Sequence, residues 1–341
     1  MNIKEFAAKI GVSPTTASSA FTGNGRLSAA TREMVVTRAK ELGFTPNVNA
    51  RRLVSGRSYM VALSHVDPRA ASDLFTVQVA RSIVEPLKSR GYDLWLNLAP
   101  DNEKQYALLR QLAKSCTIDG SIILGEEKPP RKLLQDLAKR VHPCVLISHA
   151  PVSDIPFVGS VVINMQTGAE QAARHLAELG HKRIGIIDSD LRDSVSVFFR
   201  DTLKTLGISI SEYNYTVAGR GLEDGGRAFV RLMSRSEKPT AIFARTDVLA
   251  ISAIRAAREM GLFVPHDVSI IGHDDLSLLA FAEPGLTTIR IDCVRIAEEA
   301  SDMLCTLLGT PDARMEPRVI DTNLVIRKTT GKTGRQEDKK T

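Results

Sequence analysis

The chain has 341 residues, enough for two or three domains, and its composition is that of an ordinary soluble protein. It lacks a basic start followed by an apolar run, and it has no stretch of about 18 apolar residues, so neither secretion nor membrane spanning is expected and the default is cytoplasmic. The net charge of +6 is concentrated: residues 1–58 hold nine basic side chains against three acidic, and residues 327–341 hold six against two, leaving a mildly acidic middle. A basic head on an acidic body suggests a polyanionic partner for the head. Cys116, Cys144, Cys293 and Cys305 are scattered without C-x-x-C spacing, which fits reduced thiols better than a zinc site or a disulfide framework.

In chain order, Ile3, Phe6, Ala7 and Ile10 recur at helical spacing. Gly11 permits a sharp turn, and Ser13 with Pro14 supplies the cap and first-turn proline of a second helix running to Phe21. Ala17, Ala20 and Phe21 can pack back while Thr15, Thr16, Ser18 and Ser19 face outward, as in a helix-turn-helix. A loop over 22–27 leads to a third helix, capped by Ser28 and stopped by Gly43, with Met34, Val35, Ala39 and Leu42 as its inner face and Phe6, Phe21 and Phe44 available for a core. The segment PNVNARRLVSGRS (46–58) is too short and polar for a stable isolated helix; it reads either as a helix that orders on DNA or as a flexible linker.

From Tyr59 short apolar runs alternate with helical patterns, which argues parallel sheets covered by helices. YMVALSHV, YDLWLNL, IDGSIILG and PCVLIS give the strands of one lobe; the pattern restarts at VGSVVI and continues through RIGIID, YNYTV, TAIFA and VSIIG. A short helix near Leu278, a late helix over 292–308 and one strand over 318–325 follow. Two such lobes suggest a sensor with a cleft between them, since ligands in open α/β sheets bind beyond the carboxyl ends of strands. The tail GKTGRQEDKKT lacks apolar periodicity and reads as disordered.

In this order and spacing, IKEFAAKIGVSPTTASSAF, SAATREMVVTRAKELGFTPNVNARRL, HLAELGHKRIGII, KPTAIFARTDVLAISAIRAAREMGLFVPHDVSIIGHDDLSLLAF and PGLTTIRI resemble the lactose/galactose repressor (LacI/GalR) family of bacterial transcription regulators, over nearly the whole chain to about Thr329. The resemblance implies an all-α helix-turn-helix head over 1–45, a hinge over 46–58, and an α/β sensor of two doubly wound, periplasmic-binding-protein-like lobes over 59–328, followed by a disordered basic tail over 329–341. It also implies a homodimer or tetramer on a palindromic operator in double-stranded DNA, controlled by a small-molecule effector. The tail has no apolar heptads, which favours the dimer. No cofactor, metal or membrane contact is expected.

The resemblance places Ser13, Thr15, Thr16, Ser18 and Ser19 on the recognition helix, with Ser19 where the family often has a base-reading arginine. Thr15 and Thr16 can touch a thymine methyl or make single hydrogen bonds, but not the bidentate contact to guanine. Asn24, Arg26 and Thr31 are candidate phosphate contacts, as are Arg51, Arg52 and Arg57 in the hinge beside Asn47. Leu53 matches the family's minor-groove wedge, with Ala50 against the sugar edges. Phe75, Thr76, Ser148, His149, Thr246, Asp247 and Asp274 align with effector-lining positions: an aromatic wall, short hydroxyls and a carboxylate suited to a carbohydrate. The family's effector-gripping arginine is replaced by Val195, with Arg192 and Arg220 as nearby substitutes. An effector outside the common sugars, a controlling partner protein or the absence of an effector therefore stay open.

Two other classes compete. GRGLEDG, from Gly219, resembles a dinucleotide loop but lacks the third glycine of G-x-G-x-x-G, and no P-loop, G-x-S-x-G or H-E-x-x-H motif is present, so no catalytic residue is expected. A cytoplasmic solute-binding sensor without DNA binding would share the lobes but not the basic head.

Overall fold

The computed structural model describes residues 1–22, 27–45, 47, 52, 55–65, 74–98, 101–125, 129–152, 154–188, 194–211, 214–219, 221, 223–310 and 313–333. In the head, helix α1 (Ile3–Lys9) starts from a capping box: Asn2 Oδ1 accepts from the Lys4 and Glu5 amides, and the Glu5 carboxylate accepts from the Asn2 amide. It closes with Gly11 at φ +72°, where the Val12 amide reaches Ala7 O and the Gly11 amide reaches Ala8 O, a left-handed cap that glycine adopts without a Cβ penalty. Helices α2 (Pro14–Thr22) and α3 (Ala29–Glu41) begin with one shared device. Ser13 Oγ accepts from the Thr16 amide at 3.0 Å and bonds its hydroxyl at 2.8 Å, and Ser28 does the same for Thr31. Phe6 stacks on Phe44 with centroids 4.2 Å apart and Phe21 stands 5.9 Å from each, over Ala7, Ala17, Ala20, Val35 and Ala39. Of the expected inner face of α3 only Val35 and Ala39 are buried; Met34 and Leu42 are exposed, because so small a core accepts only a narrow i, i+4 stripe.

The sensor holds two six-stranded sheets. The first has the order β11-β5-β4-β3-β1-β2, all parallel, from β1 (Met60–His65), β2 (Asp93–Asn97), β3 (Gly120–Leu124), β4 (Cys144–Ser148), β5 (Val158–Asn164) and β11 (Arg318–Asp321). Helices α4 (Leu74–Ser89), α5 (Asn102–Lys114) and α6 (Arg131–Ala138) connect its first four strands. The second has the order β12-β10-β9-β8-β6-β7, from β6 (Ile184–Asp188), β7 (Tyr215–Val217), β8 (Ala241–Ala244), β9 (Ser269–Asp274), β10 (Thr287–Arg290) and an antiparallel edge, β12 (Asn323–Val325). Helices α7 (Met165–Glu178), α8 (Ser194–Thr205), α9 (Asp224–Met233) and α10 (Asp247–Glu259) belong to this lobe, while α11 (Cys293–Gly309) returns to pack on the first. The expected short helix near Leu278 is one 3₁₀ turn, Ser277–Leu279.

Four sequence expectations change. VGSVVI does not open the second lobe: β5 pairs with β4 from Cys144↔Val158 to Ser148↔Val162, because β-α alternation counts strands without assigning them to a sheet. The single strand expected over 318–325 breaks at buried Thr322 and serves both sheets. PGLTTIRI contains a further strand, β10, which apolar alternation does not single out. The tail does not leave the fold at 329. Thr329 is buried, accepts from the Thr287 amide and donates to Ile270 O at 2.7 Å, and the Thr333 amide reaches Leu179 O. These ties are hydrogen bonds and not apolar burial, so hydropathy carried no sign of them; residues 334–341 lie outside the described set.

The chain therefore crosses between lobes three times, at 164–165, 291–293 and 321–323. Thr322 sews two crossings together: its hydroxyl donates to Asn164 O at 2.8 Å and accepts from the Gly168 amide at 3.0 Å, while the Thr167 hydroxyl donates to Thr322 O. Gly168 admits no side chain, since a Cβ would stand 2.4 Å from Ile289 Cγ2 and 2.7 Å from Thr322 Oγ1. Gly168→Ala should lower stability by about 1–3 kcal/mol, as overpacking does. Gly309→Ala, with nothing within 4 Å, should stay within about 0.5 kcal/mol of wild type in the same denaturant titration.

Candidate nucleic-acid interface and ligand cleft

On α2, Thr15 is exposed, and Thr16, Ser18 and Ser19 are half-buried. Ser13 is exposed, but its hydroxyl is committed to Thr16, so this pair orders the helix start before it can read a base. Thr31 stands in the matching position on α3, where its amide is capped and its hydroxyl tied to Ser28. Asn47 is exposed and Arg52 half-buried. The expected contacts Asn24, Arg26, Ala50, Arg51 and Leu53 lie outside the described residues.

Arg57, expected at a phosphate, is exposed and has partners on the sensor. Its guanidinium lies on the sensor, donating to the Tyr92 hydroxyl at 3.3 Å and to Leu308 O at 3.2 Å. Immediately after it, Asp119 accepts from the Ser58 amide (2.7 Å), the Ser58 hydroxyl (2.9 Å) and the Tyr59 amide (2.8 Å), and Tyr59 adopts φ +55°.

In the cleft, the predicted residues cluster at the carboxyl ends of the strands of both lobes. Phe75 is half-buried against the core; Thr76 is fully buried and bonded to His65 Nδ1 at the end of β1. Ser148 is buried and donates to Ala150 O at 2.9 Å. Two of the expected ligand hydroxyls thus already serve their own lobe. Thr246 caps α10 through the Leu249 amide, and Asp274, at φ +114°, lies 2.9 Å from His273 Nδ1. Arg192 and Arg220 lie outside the described residues, and Val195 is fully buried in the core. His149 Nδ1 and Ser194 Oγ, 3.5 Å apart, face each other across the lobes. Gln78 bridges more firmly, accepting from the Ser277 amide at 2.7 Å and donating to Cys293 Sγ at 3.5 Å.

Of the polar network behind these residues, the sequence points to Asp247 and Asp274 but not to Arg245, His273 or Asp188. Arg245, which is 5% exposed, lies 3.2 Å from His273 Nδ1, and Asp247 accepts from the Leu276 amide and the Thr288 hydroxyl. Burial, and after it the Asp274 carboxylate, push the Asp247 pKa well above the ordinary carboxylate range. On β6, Asp188 is fully buried and accepts from Ser196 and, at 2.9 Å, from Tyr215, whose ring lies under the Arg200 guanidinium. Burial and then Asp188 raise the Tyr215 pKa. The available signal was the ionisable residue at or just past the end of each apolar run, in RIGIID, TAIFAR and VSIIGHD. The glycines of GRGLEDG have a local explanation: Asp224 accepts from the Gly221 amide at 2.8 Å, and a Cβ at Gly219 would stand 2.1 Å from Asp224 Oδ2. Among the described residues no helix is long and apolar enough to cross a membrane.

Residues 2–47 match the model for bacterial regulatory proteins of the lacI family, and residues 173–330 match that for a periplasmic binding protein-like domain. The chain is 32% identical over 308 residues to the HTH-type transcriptional repressor PurR of Klebsiella pneumoniae (strain 342), covering 89% of each chain. It is 30% identical over 324 residues to the protein of that name from Escherichia coli O1:K1 / APEC, covering 94% of this chain and 93% of the relative. Among solved structures, a transcriptional regulator CelR-cellobiose complex aligns with TM-score 0.69 at 25% identity, over 96% of this chain and 99% of that one. The lac repressor dimer bound to operator and the anti-inducer ONPF shares the fold, with TM-score 0.75 at 23% identity over 97% and 99%. With its helix-turn-helix head and two-lobed sensor, the chain belongs to the LacI family of bacterial regulatory proteins.

Proposed function

We propose that this regulator is a cytoplasmic transcriptional repressor that binds a two-fold operator as a homodimer and changes affinity when a small polyhydroxylated ligand occupies the cleft. One observation carries the reading: a capped three-helix head whose second helix exposes hydroxylated side chains is joined by a short basic linker to two lobes whose strand ends face one cleft. The relatives named as repressors, and the cellobiose complex of one structural neighbour, support the sign of control and the ligand class. Thr15, Ser18 and Ser19 offer single hydrogen bonds or methyl contacts, so sequence preference leans on backbone and shape contacts. Asn24, Arg26, Thr31, Asn47, Arg51 and Arg52 supply the polar and basic contacts to the backbone, and Leu53 with Ala50 the minor-groove wedge. In the cleft Phe75 serves as the wall, with Thr246, Asp274 and Arg192 as polar contacts, since Thr76 and Ser148 are spent within their own lobe.

Dimerisation has its own support. Val77 and Val84 stand exposed seven residues apart on α4, and Phe281 (93% exposed) and Leu278 (69%) project from the second lobe. Apolar groups so placed on both lobes suit a second copy of this chain.

A random duplex pool enriched by the purified protein should yield an imperfect palindrome, and affinity for it should fall about 10³- to 10⁵-fold between 50 and 200 mM salt if six to ten phosphates are neutralised. Failure to enrich any duplex, or a flat salt response, would remove the DNA-binding reading. On the enriched duplex Leu53→Ala should cost a few kcal/mol, about what the wedge returns for prying a base step apart; undiminished affinity discards the wedge. Phe281→Asp should convert the dimer to a monomer in analytical ultracentrifugation while circular dichroism stays that of wild type. A Phe281→Asp dimer would place the interface elsewhere.

A further inference from the structure

The linker's exit from the sensor is built with more care than a flexible tether requires. Asp119 accepts three hydrogen bonds from Ser58 and Tyr59, and this holds Tyr59 at φ +55°, a conformation a β-carbon disfavours. One residue earlier, Arg57 joins two separate elements of the first lobe: the Tyr92 hydroxyl, just before β2, and Leu308 O, in the last turn of α11. The last four carbonyls of a helix lack intrahelical donors and carry its partial negative charge, so a guanidinium there is matched in both hydrogen bonding and electrostatics. The other end of α11 lies at the second interlobe crossing, where Asp292 caps it through the Arg295 amide and Cys293 meets Gln78. One rigid helix of 17 residues thus has the lobe crossing at one end and the linker clamp at the other.

We infer that Arg57 is a positioning residue that fixes where the linker leaves the sensor, and that it is not a phosphate contact. Two of its five N–H groups are turned to the sensor, and these bonds hold the guanidinium at the surface of the first lobe. In a dimer the two clamps set the distance and direction between the heads, and so the effective concentration of the second head once the first has bound. The clamp therefore acts on recognition of two correctly spaced half-sites, and hardly at all on a single one. Tyr92 belongs to the same device: it is 7% exposed and supplies only its hydroxyl to the clamp.

This inference rests on the proposed dimeric DNA binding, and its test separates the two. The probes are the duplex enriched by wild-type protein and the same duplex with one half scrambled. Arg57→Gln should bind the intact duplex about 3- to 10-fold more weakly and the scrambled one within about twofold of wild type. The slope of log affinity against log salt should stay unchanged, whereas the loss of one phosphate contact per protomer would lower it by about two on the intact duplex. Tyr92→Phe, which removes no positive charge, should reproduce the loss, and the double variant should be no worse than either single one. Equal thermal unfolding of the variants, with faster amide exchange confined to residues 57–60, would show that the clamp and not the fold was altered. A salt slope reduced by about two on the intact duplex in Arg57→Gln, or wild-type behaviour of Tyr92→Phe, overturns the inference. If wild-type protein enriches no duplex, the regulator reading itself falls before any variant is compared.

Discussion

The geometry of this molecule depends on one buried hydroxyl. Thr322 donates to Asn164 O and accepts from the Gly168 amide, so the first and third interlobe crossings run side by side. Two lobes joined at a single strand could swing in any direction. Thr322 ties two of the three crossings together, which restricts how the lobes can turn relative to each other. Gly168 is the steric counterpart, because the α7 backbone can approach Ile289 and Thr322 only where no side chain intervenes.

At the strand ends of the second lobe the fold buries several ionisable side chains. Arg245, Asp188, Asp247 and Asp274 are each at most 6% exposed. Burying ionised groups costs several kcal/mol apiece unless hydrogen bonds and opposite charges compensate, and here they do so in part through His273, Thr288, Ser196, Tyr215 and the Leu276 amide. An apolar cluster of the same volume would serve stability as well. Beside this network Gln78 and the His149–Ser194 pair link the two lobes directly.

The head is governed by the opposite economy. Its core consists of three phenylalanines and a handful of small residues, and its helices rely on caps at Asn2, Ser13 and Ser28. So small a unit has little apolar area with which to dock on the sensor, and its orientation must come through the linker. Asp119, Tyr92 and the end of α11 supply a fixed point for that linker, and α11 ties the fixed point to the lobe crossing.

How much of this was written in the amino-acid order can be judged residue by residue. The helix boundaries of the head, the turns at Gly11 and Gly43 and most sensor strands follow from local signals, since caps, left-handed glycines and apolar runs act within a few residues of one another. Family resemblance added the roles of the head and cleft, and the matching family models and relatives agree with it. Sheet membership was not local: nothing in VGSVVI says that it pairs with PCVLIS, and nothing near Thr322 announces a strand shared between two sheets. Likewise the charge of Arg57 was legible but its partners were not, because Tyr92 and Leu308 lie 35 and 251 residues away. Sequence determined which segments form helices and strands and which side chains bring charge or hydroxyls; tertiary structure alone decided which of those groups were consumed internally, because hydrogen bonds between distant segments are fixed by the packing of whole sheets and leave no periodic trace along the chain.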